Sequence, residues 1–516
     1  MIYVPAIILY MRILMVASEV APYSTVGGLS QVVYFLANSL IKLGHDVRIF
    51  SAKYGVIQPK KPFKRVLWHI KIPTGYQGKS YPQELICNVV TNQIGPLKVY
   101  FLENREYFEL RSNVYEYIDD NIRFFLLSRG CLEWLKSQHS KKLWLPQVIH
   151  IHDWHTGYLS EDLHTNQRYL REFYRLPTLF TVHNFHLQGR MNFQLLPKKQ
   201  QDTGQGNLKH FFHDKLIQQN SLLRGIIYAD WVNTVSETYA REILTQAHGE
   251  GLEKTLNRYR GKISGILNGI DTREFNPLTD PLIKQNYSRS SLYLRKENKA
   301  ELQLKFSLPV NEHIPILAYS GRLSKQKGID LLLECLPKLA SEFSFQCIIL
   351  GQENQTYGQE LQKLRDKYPD KISLHLYSDF KLPRKIFAGA DIILLPSLFE
   401  PCGIVAIEAL RYGAIPIVRK TGGLSDIVTD FSPETMIGNG LVFKKPNAWA
   451  LFAAVVRGVQ LYHVPHVWRK LIENAMGGNF SWDKAATEYG NLYQRILRLR
   501  RQFVKDNPHL AHQPTL

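Results

Sequence analysis

One segment pattern constrains the chain most, and it occurs twice: a short apolar strand, a glycine-bearing turn, an amphipathic helix and a second apolar strand. In the first half, residues 12–18 read as a buried strand and the turn carries Gly27 and Gly28. Residues 29–43 then put Val32, Val33, Leu36, Leu40 and Leu43 on one helical face, Gly44 ends the helix, and 46–51 form the next strand. In the second half, 315–320, 329–340 and 346–351 repeat the order, followed by strands at 372–377 and 392–396. A strand that feeds a helix and returns in parallel is a βαβ unit. The fold class expected is therefore α/β, with two Rossmann-like, doubly wound domains. The expected domains are 11–265 and 266–478, with a C-terminal helix at 479–499 returning to the first domain and a tail at 500–516.

Composition narrows the class. With 516 residues and 45% hydrophobic content the chain is long and apolar enough for large cores, which excludes disorder as the main theme. Glycine (33) and proline (25) are near ordinary usage, which excludes collagen-like or low-complexity architecture. The 64 Lys+Arg against 45 Asp+Glu give a net charge of +19, open to three readings: nucleic acid, an anionic membrane surface, or a polyanionic small substrate such as a nucleotide. Five scattered cysteines offer neither a disulfide framework nor zinc spacing, and point to a reducing compartment.

The N-terminus is apolar but has no basic n-region or small-residue cleavage site, and Arg12 interrupts it, so neither a signal nor an anchor is expected. Met11 opens the first well-formed strand, which marks 1–10 as an upstream-start extension. The polar stretch 197–215 reads as a mobile surface loop, and the charged residues after Leu499 as a frayed or disordered tail.

Four segments carry candidate chemistry. Thr25-Val26-Gly27-Gly28-Leu29 joins the first strand to its helix, where paired glycines admit a bulky ligand and the helix N-terminus attracts an anion; a ligand-free tight turn is the alternative. His150-Ile151-His152-Asp153-Trp154-His155 and Thr181-Val182-His183-Asn184 close two apolar segments, where open parallel sheets bind ligands. No metal is expected there, because strand alternation is taken to keep His150 and His152 from converging with His155.

Ser320 to Gly328 again follows a strand, with Arg322 and Lys327 suited to a diphosphate whose charge grows as a bond breaks. In Pro396 to Val428, Glu400 is expected at a helix start, with Glu408 two turns later on nearly the same face, so that both hold hydroxyls. Thr421-Gly422-Gly423-Leu424 then repeats the strand, glycine, helix device.

These segments, together with SEVAPYSTVGGL, IHDWHTG, TVHNFHLQG, YADWVNTVSETYAREI, GILNGIDTREFNP, SGRLSKQKGID, FEPCGI, RYGAIPIVRKTGGLSD and NFSWDKAATEY, resemble the bacterial glycogen synthases and plant-type starch synthases, family 5 of the retaining glycosyltransferases, from about residue 11 to 497. The resemblance implies a GT-B fold, two Rossmann-like doubly wound domains facing across a deep cleft. It implies transfer of glucose from ADP-glucose to the non-reducing end of an α-1,4-glucan in the cytoplasm, or in the plastid stroma for a plant-type source.

By the same resemblance Arg322 and Lys327 bind the diphosphate, and Glu400 orients the donor glucose. Asp153 and His183 line the glucose site, and Asn268 sits near the hinge. Thr25, Gly27, Gly28, Glu408, Thr421, Gly422, Gly423 and Leu424 bind the donor. No metal or other cofactor is implied, and the partners are a nucleotide sugar and an α-glucan, with no nucleic acid and no membrane.

Two departures stand out. Thr25 occupies the position of the family's lysine, which removes a charged hydrogen bond worth roughly 1.5–3 kcal/mol. Gly403 to Glu408 resembles family 4, whose second glutamate holds the ribose. UDP-glucose, or a different acceptor, is therefore the alternative reading. Most of the +19 is expected to be surface charge, including the basic run Arg495, Arg498, Arg500 and Arg501.

Overall fold

The computed structural model describes residues 10–352, 355–377, 379 and 381–508. Residues 1–9 of the expected extension and residues 509–516 of the expected tail lie outside the described residues. The chain divides into two units. The N-terminal unit comprises Met1–Val235, Ala240–Ile266 and Trp482–Leu516, and the C-terminal unit Ser236–Tyr239 and Leu267–Ser481.

Among the described residues the N-terminal unit is built on nine strands: β1 (Arg12–Val16), β2 (Asp46–Ala52), β3 (Lys64–Pro73), β4 (Glu84–Ile94), β5 (Leu97–Glu103), β6 (Val148–His152), β7 (Thr178–Val182), β8 (Trp231–Thr234) and β9 (Ile263–Gly265). Their order is β3-β4-β5-β2-β1-β6-β7-β8-β9. From β5 to β9 every pairing is parallel, and β6 and β7 are buried at every position, as strands covered on both faces require. Helix Gly28–Lys42 packs Val32, Val33, Leu36 and Leu40 inward. The antiparallel extension β3–β5 was not read from the sequence. Its outer strand β3 is largely exposed, which leaves no continuous apolar run to find.

The C-terminal helix spans Trp482–Asp506 in the same unit, beginning later and running further than expected. Residues 500–506 are thus helical, and a frayed tail from 500 is corrected. Arg500 is buried, donating to the Tyr174 carbonyl at 2.8 Å and to Asp230 at 3.0 Å. The charges after Leu499 lie along an amphipathic helix, where they read from sequence as a solvated tail.

The stretch 197–215 is anchored rather than mobile. Asp202 pairs with Arg224 at 2.7 Å, and Arg224 also reaches Glu161 at 2.7 Å while only 1% exposed. Asp202 further accepts the Asn220 amide, and Tyr228 donates to the Gly204 carbonyl. A single buried cation thus ties a stretch without periodicity to helix Ser221–Tyr228.

Among the described residues the C-terminal unit has six parallel strands: β10 (Ile316–Ser320), β11 (Gln346–Leu350), β12 (Ile372–His375), β13 (Ile392–Leu395), β14 (Ile415–Arg419) and β15 (Leu441–Phe443), in the order β12-β11-β10-β13-β14-β15. Each sheet grows outward on one side of its first strand and then on the other. The reversal falls between β1 and β6 in the first and between β10 and β13 in the second, and ligands bind beyond the strand ends at such points. Among the described residues no helix is long and apolar enough to cross a membrane.

Removing the Asp202 carboxylate leaves part of a buried guanidinium unpaired, a loss of about 3 kcal/mol. Asp202→Ala is expected to lower the melting temperature and to speed trypsin cleavage at Lys198, Lys199 and Lys209, read by calorimetry and by mass spectrometry of the nicked chain.

Candidate active site

In the N-terminal unit the turn after β1 is shaped by a carboxylate from within. Glu19, buried, accepts the Val26 amide at 2.6 Å and the Gly27 amide at 3.3 Å. Burial raises the Glu19 pKa, while these two amides pull it back. Thr25, Val26, Gly27 and Gly28 are exposed. A Cβ on Gly28 would meet nothing within 4 Å, and one on Gly27 only Glu19 at 3.6 Å. The protein itself demands neither glycine. The space they leave faces outward, at the start of a 15-residue helix with no side-chain cap.

Beside this turn β6 and β7 deliver Asp153 and His183. Asp153 holds φ +55° and accepts the His183 amide at 2.7 Å, with the Asn184 amide as a second donor. Burial outweighs both and pushes the Asp153 pKa up to about 7. Its charge acts on Glu19, so the turn and the strand ends form one electrostatic group.

His155 turns away, its ring 4.6 Å from Phe124 and 4.8 Å from Tyr115. His150 and His152, by contrast, sit together with ring centroids 4.1 Å apart. Residues two apart on a strand share a face, and this pair stays apart from His155. His152 Nδ1 lies 3.2 Å from His183 Nε2, while His150 bridges Tyr493 Oη at 2.8 Å and Thr181 Oγ1 at 2.7 Å. Burial pushes His183 down to about 4 and the other two well below their ordinary value, so the three rings are neutral near pH 7. Among the described residues no group of three or more His, Cys, Asp or Glu side chains is arranged to hold a metal ion.

In the C-terminal unit the turn after β10 is pressed against the loop after β13. Gly328 has φ +74°, and a Cβ there would lie 2.1 Å from the Pro396 carbonyl, so only glycine permits the approach. The Leu398 amide donates to Gln326 O at 2.7 Å, and Arg419, closing β14, donates to the carbonyls of Ser397 (2.8 Å) and Leu398. Within this frame Lys327 Nζ meets Glu400 Oε2 at 2.6 Å, and Ser397 Oγ donates to the same oxygen at 3.0 Å. Arg322 is exposed nearby on the turn.

Thr421 is buried at the cap of helix Gly422–Ile427, the Gly423 amide donates to the Glu400 carbonyl at 3.0 Å, and Leu424 packs against Gly403. Asn268 sits against Cys402, with its Oδ1 unpartnered among the described residues.

The structure therefore brings Arg322, Lys327, Glu400 and the Thr421–Leu424 turn together. It does not pair Glu400 with Glu408 as expected. Helix Ile404–Arg411 starts only after Gly403 (φ +90°), which leaves Glu400 in the loop before it. The charges acting on Glu408 are those of Arg384 and Glu274, and burial raises its pKa to about 8. Sequence reasoning missed Glu19 and Ser397, and took Arg419 only as a charge neighbouring the diphosphate site. The signal for Glu19 and Ser397 is position, since each lies within a few residues of a strand end at a reversal point.

Comparison with known proteins decides the family. Residues 12–258 match the starch synthase catalytic domain family, and residues 301–474 match glycosyl transferases group 1. The chain is 36% identical to a glycogen synthase of Bacillus cereus over 94% of its own length and all of that protein. It is likewise 36% identical to one of Clostridium novyi, covering 99% of it. The chain belongs to the glycogen and starch synthase family. It is a glycosyltransferase of that type.

Among solved structures, the catalytic domain of starch synthase IV from Arabidopsis thaliana, bound to ADP and acarbose, matches with a TM-score of 0.80 at 30% identity, over 95% of this chain and all of that one. A sucrose-phosphate synthase from Thermosynechococcus elongatus, at 18% identity and a TM-score of 0.59, shares the fold.

The raised pKa of Glu408 in this synthase has a consequence for stability. The folded protein holds that proton between the ordinary value near 4.5 and about 8, where the unfolded chain releases it, so stability falls as pH rises through the window. Glu408→Gln is expected to flatten this decline and to raise the melting temperature at pH 8, as measured by differential scanning fluorimetry between pH 5 and 8.

Proposed function

We propose that the protein transfers the glucosyl group of ADP-glucose to the non-reducing 4-hydroxyl of an α-1,4-glucan, with retention at the anomeric carbon, in the cytoplasm. The observation that carries this reading is the Lys327–Glu400 pair (2.6 Å) at the reversal point of the C-terminal sheet, with Arg322 on the same turn. A cation already fixed beside a carboxylate suits a substrate that is anionic at one end and rich in hydroxyls at the other. Lys327 and Arg322 take the diphosphate, and Glu400 accepts from glucose hydroxyls.

In the transfer the bond from the anomeric carbon to the diphosphate oxygen breaks, the acceptor oxygen bonds to that carbon on the same face, and its proton passes to the departing diphosphate. The two cations stabilise charge as it moves onto the leaving group, so the reading needs no metal ion. Free, buried cysteines fit a reducing compartment.

The test is the initial rate of nucleoside diphosphate release with ADP-glucose and with UDP-glucose, on glycogen and on short maltooligosaccharides. Release from ADP-glucose that depends on glycogen, with kcat/KM at least about tenfold above that for UDP-glucose, is expected, a gap of about 1.4 kcal/mol. Release without glycogen dependence, or a preference for UDP-glucose, overturns the reading.

A further inference from the structure

The basic end of the C-terminal helix has no part in the transfer described above. In the N-terminal unit its last turns close over the approach to β6 and the segment ahead of β7, leaving a cavity of about 510 Å³. That is the size of a small-molecule pocket, roughly 300–1,000 Å³. The lining is of two kinds. Phe173, Leu176, Leu497 and Val504 are apolar, and Arg175, Arg501 and Lys505 bring three positive charges to the edge. Arg500 is already committed to Asp230. Glu172, the one carboxylate in the lining, is shared by Lys136 at 2.6 Å and His139 at 3.3 Å. Arg175, Arg501 and Lys505 have no ion-pair partner among the described residues.

Like charges gathered on an apolar cavity repel one another unless an anion joins them. A neutral glucan gains nothing from the three cations, and a nucleic acid gains nothing from the apolar floor. We propose that this pocket binds a small amphipathic anion, its apolar body against Phe173, Leu176 and Val504 and its carboxylate, sulfonate or phosphate between Arg175, Arg501 and Lys505. Part of the +19 then has a defined use, contrary to the expectation that the basic run is only solvated surface.

The test is titration of the full chain with the fluorescent anion 8-anilinonaphthalene-1-sulfonate, alongside calorimetry with octanoate and with octanol, which share a carbon body and differ in charge. Saturable binding of one equivalent is expected, weakened about tenfold or more by Arg501→Glu with Lys505→Glu and by raising NaCl from about 0.05 to about 0.5 M, and unaffected by excess ADP. Octanoate is expected to bind and octanol not. Unchanged affinity in the double variant, displacement by ADP, or equal binding of octanol overturns the proposal.

Discussion

The contact between Lys327 and Glu400 holds together the strand ends on which the C-terminal half-site depends. β10 and β13 are neighbours in the sheet, but their connections leave in opposite directions, so the turn after one and the loop after the other would diverge without a tie. The ion pair supplies one tie. The approach of Gly328 to Pro396 and the grip of Arg419 on the 397–398 carbonyls supply the others. A partly buried pair in such a frame loses little side-chain entropy on binding a ligand, because its geometry is set before the substrate arrives.

The N-terminal half-site follows the same logic with different chemistry. There the reversal point lies between β1 and β6, and the tie is the Glu19 carboxylate gripping the Val26 and Gly27 amides. Behind it the rings of His150, His152 and His183 run from Tyr493 on the C-terminal helix toward the end of β7, all kept neutral by burial. That helix is continuous with the wall of the basic pocket, so one element supports two features of the unit.

What could be read in advance followed from repetition. The strand, glycine turn and helix device marks both sheets, because a parallel strand buried on two faces leaves a continuous apolar run and the turn after it needs special backbone. Asp153 and His183, which directly follow their strands, and Thr25, Arg322, Lys327 and Glu400, on the turns and loops beyond theirs, could be placed in advance for the same reason. The outer antiparallel strand β3 was not legible, since an exposed edge strand carries no such run. Nor was the anchoring of 197–215, which rests on Asp202 reaching a buried arginine more than twenty residues away in sequence. The pairing of Glu400 with Glu408 failed because helical spacing was extended back through Gly403, after which the helix only begins.

The central claim is that Lys327 and Glu400 act as one unit in glucosyl transfer. The most direct measurement is kcat with ADP-glucose and glycogen for Lys327→Ala, Glu400→Gln and the double variant. The account predicts that each single change lowers kcat by about a hundredfold or more and that the double variant falls no further than the worse single. A single variant that keeps most of its activity, or a double variant whose loss is the product of the two single losses, would contradict it.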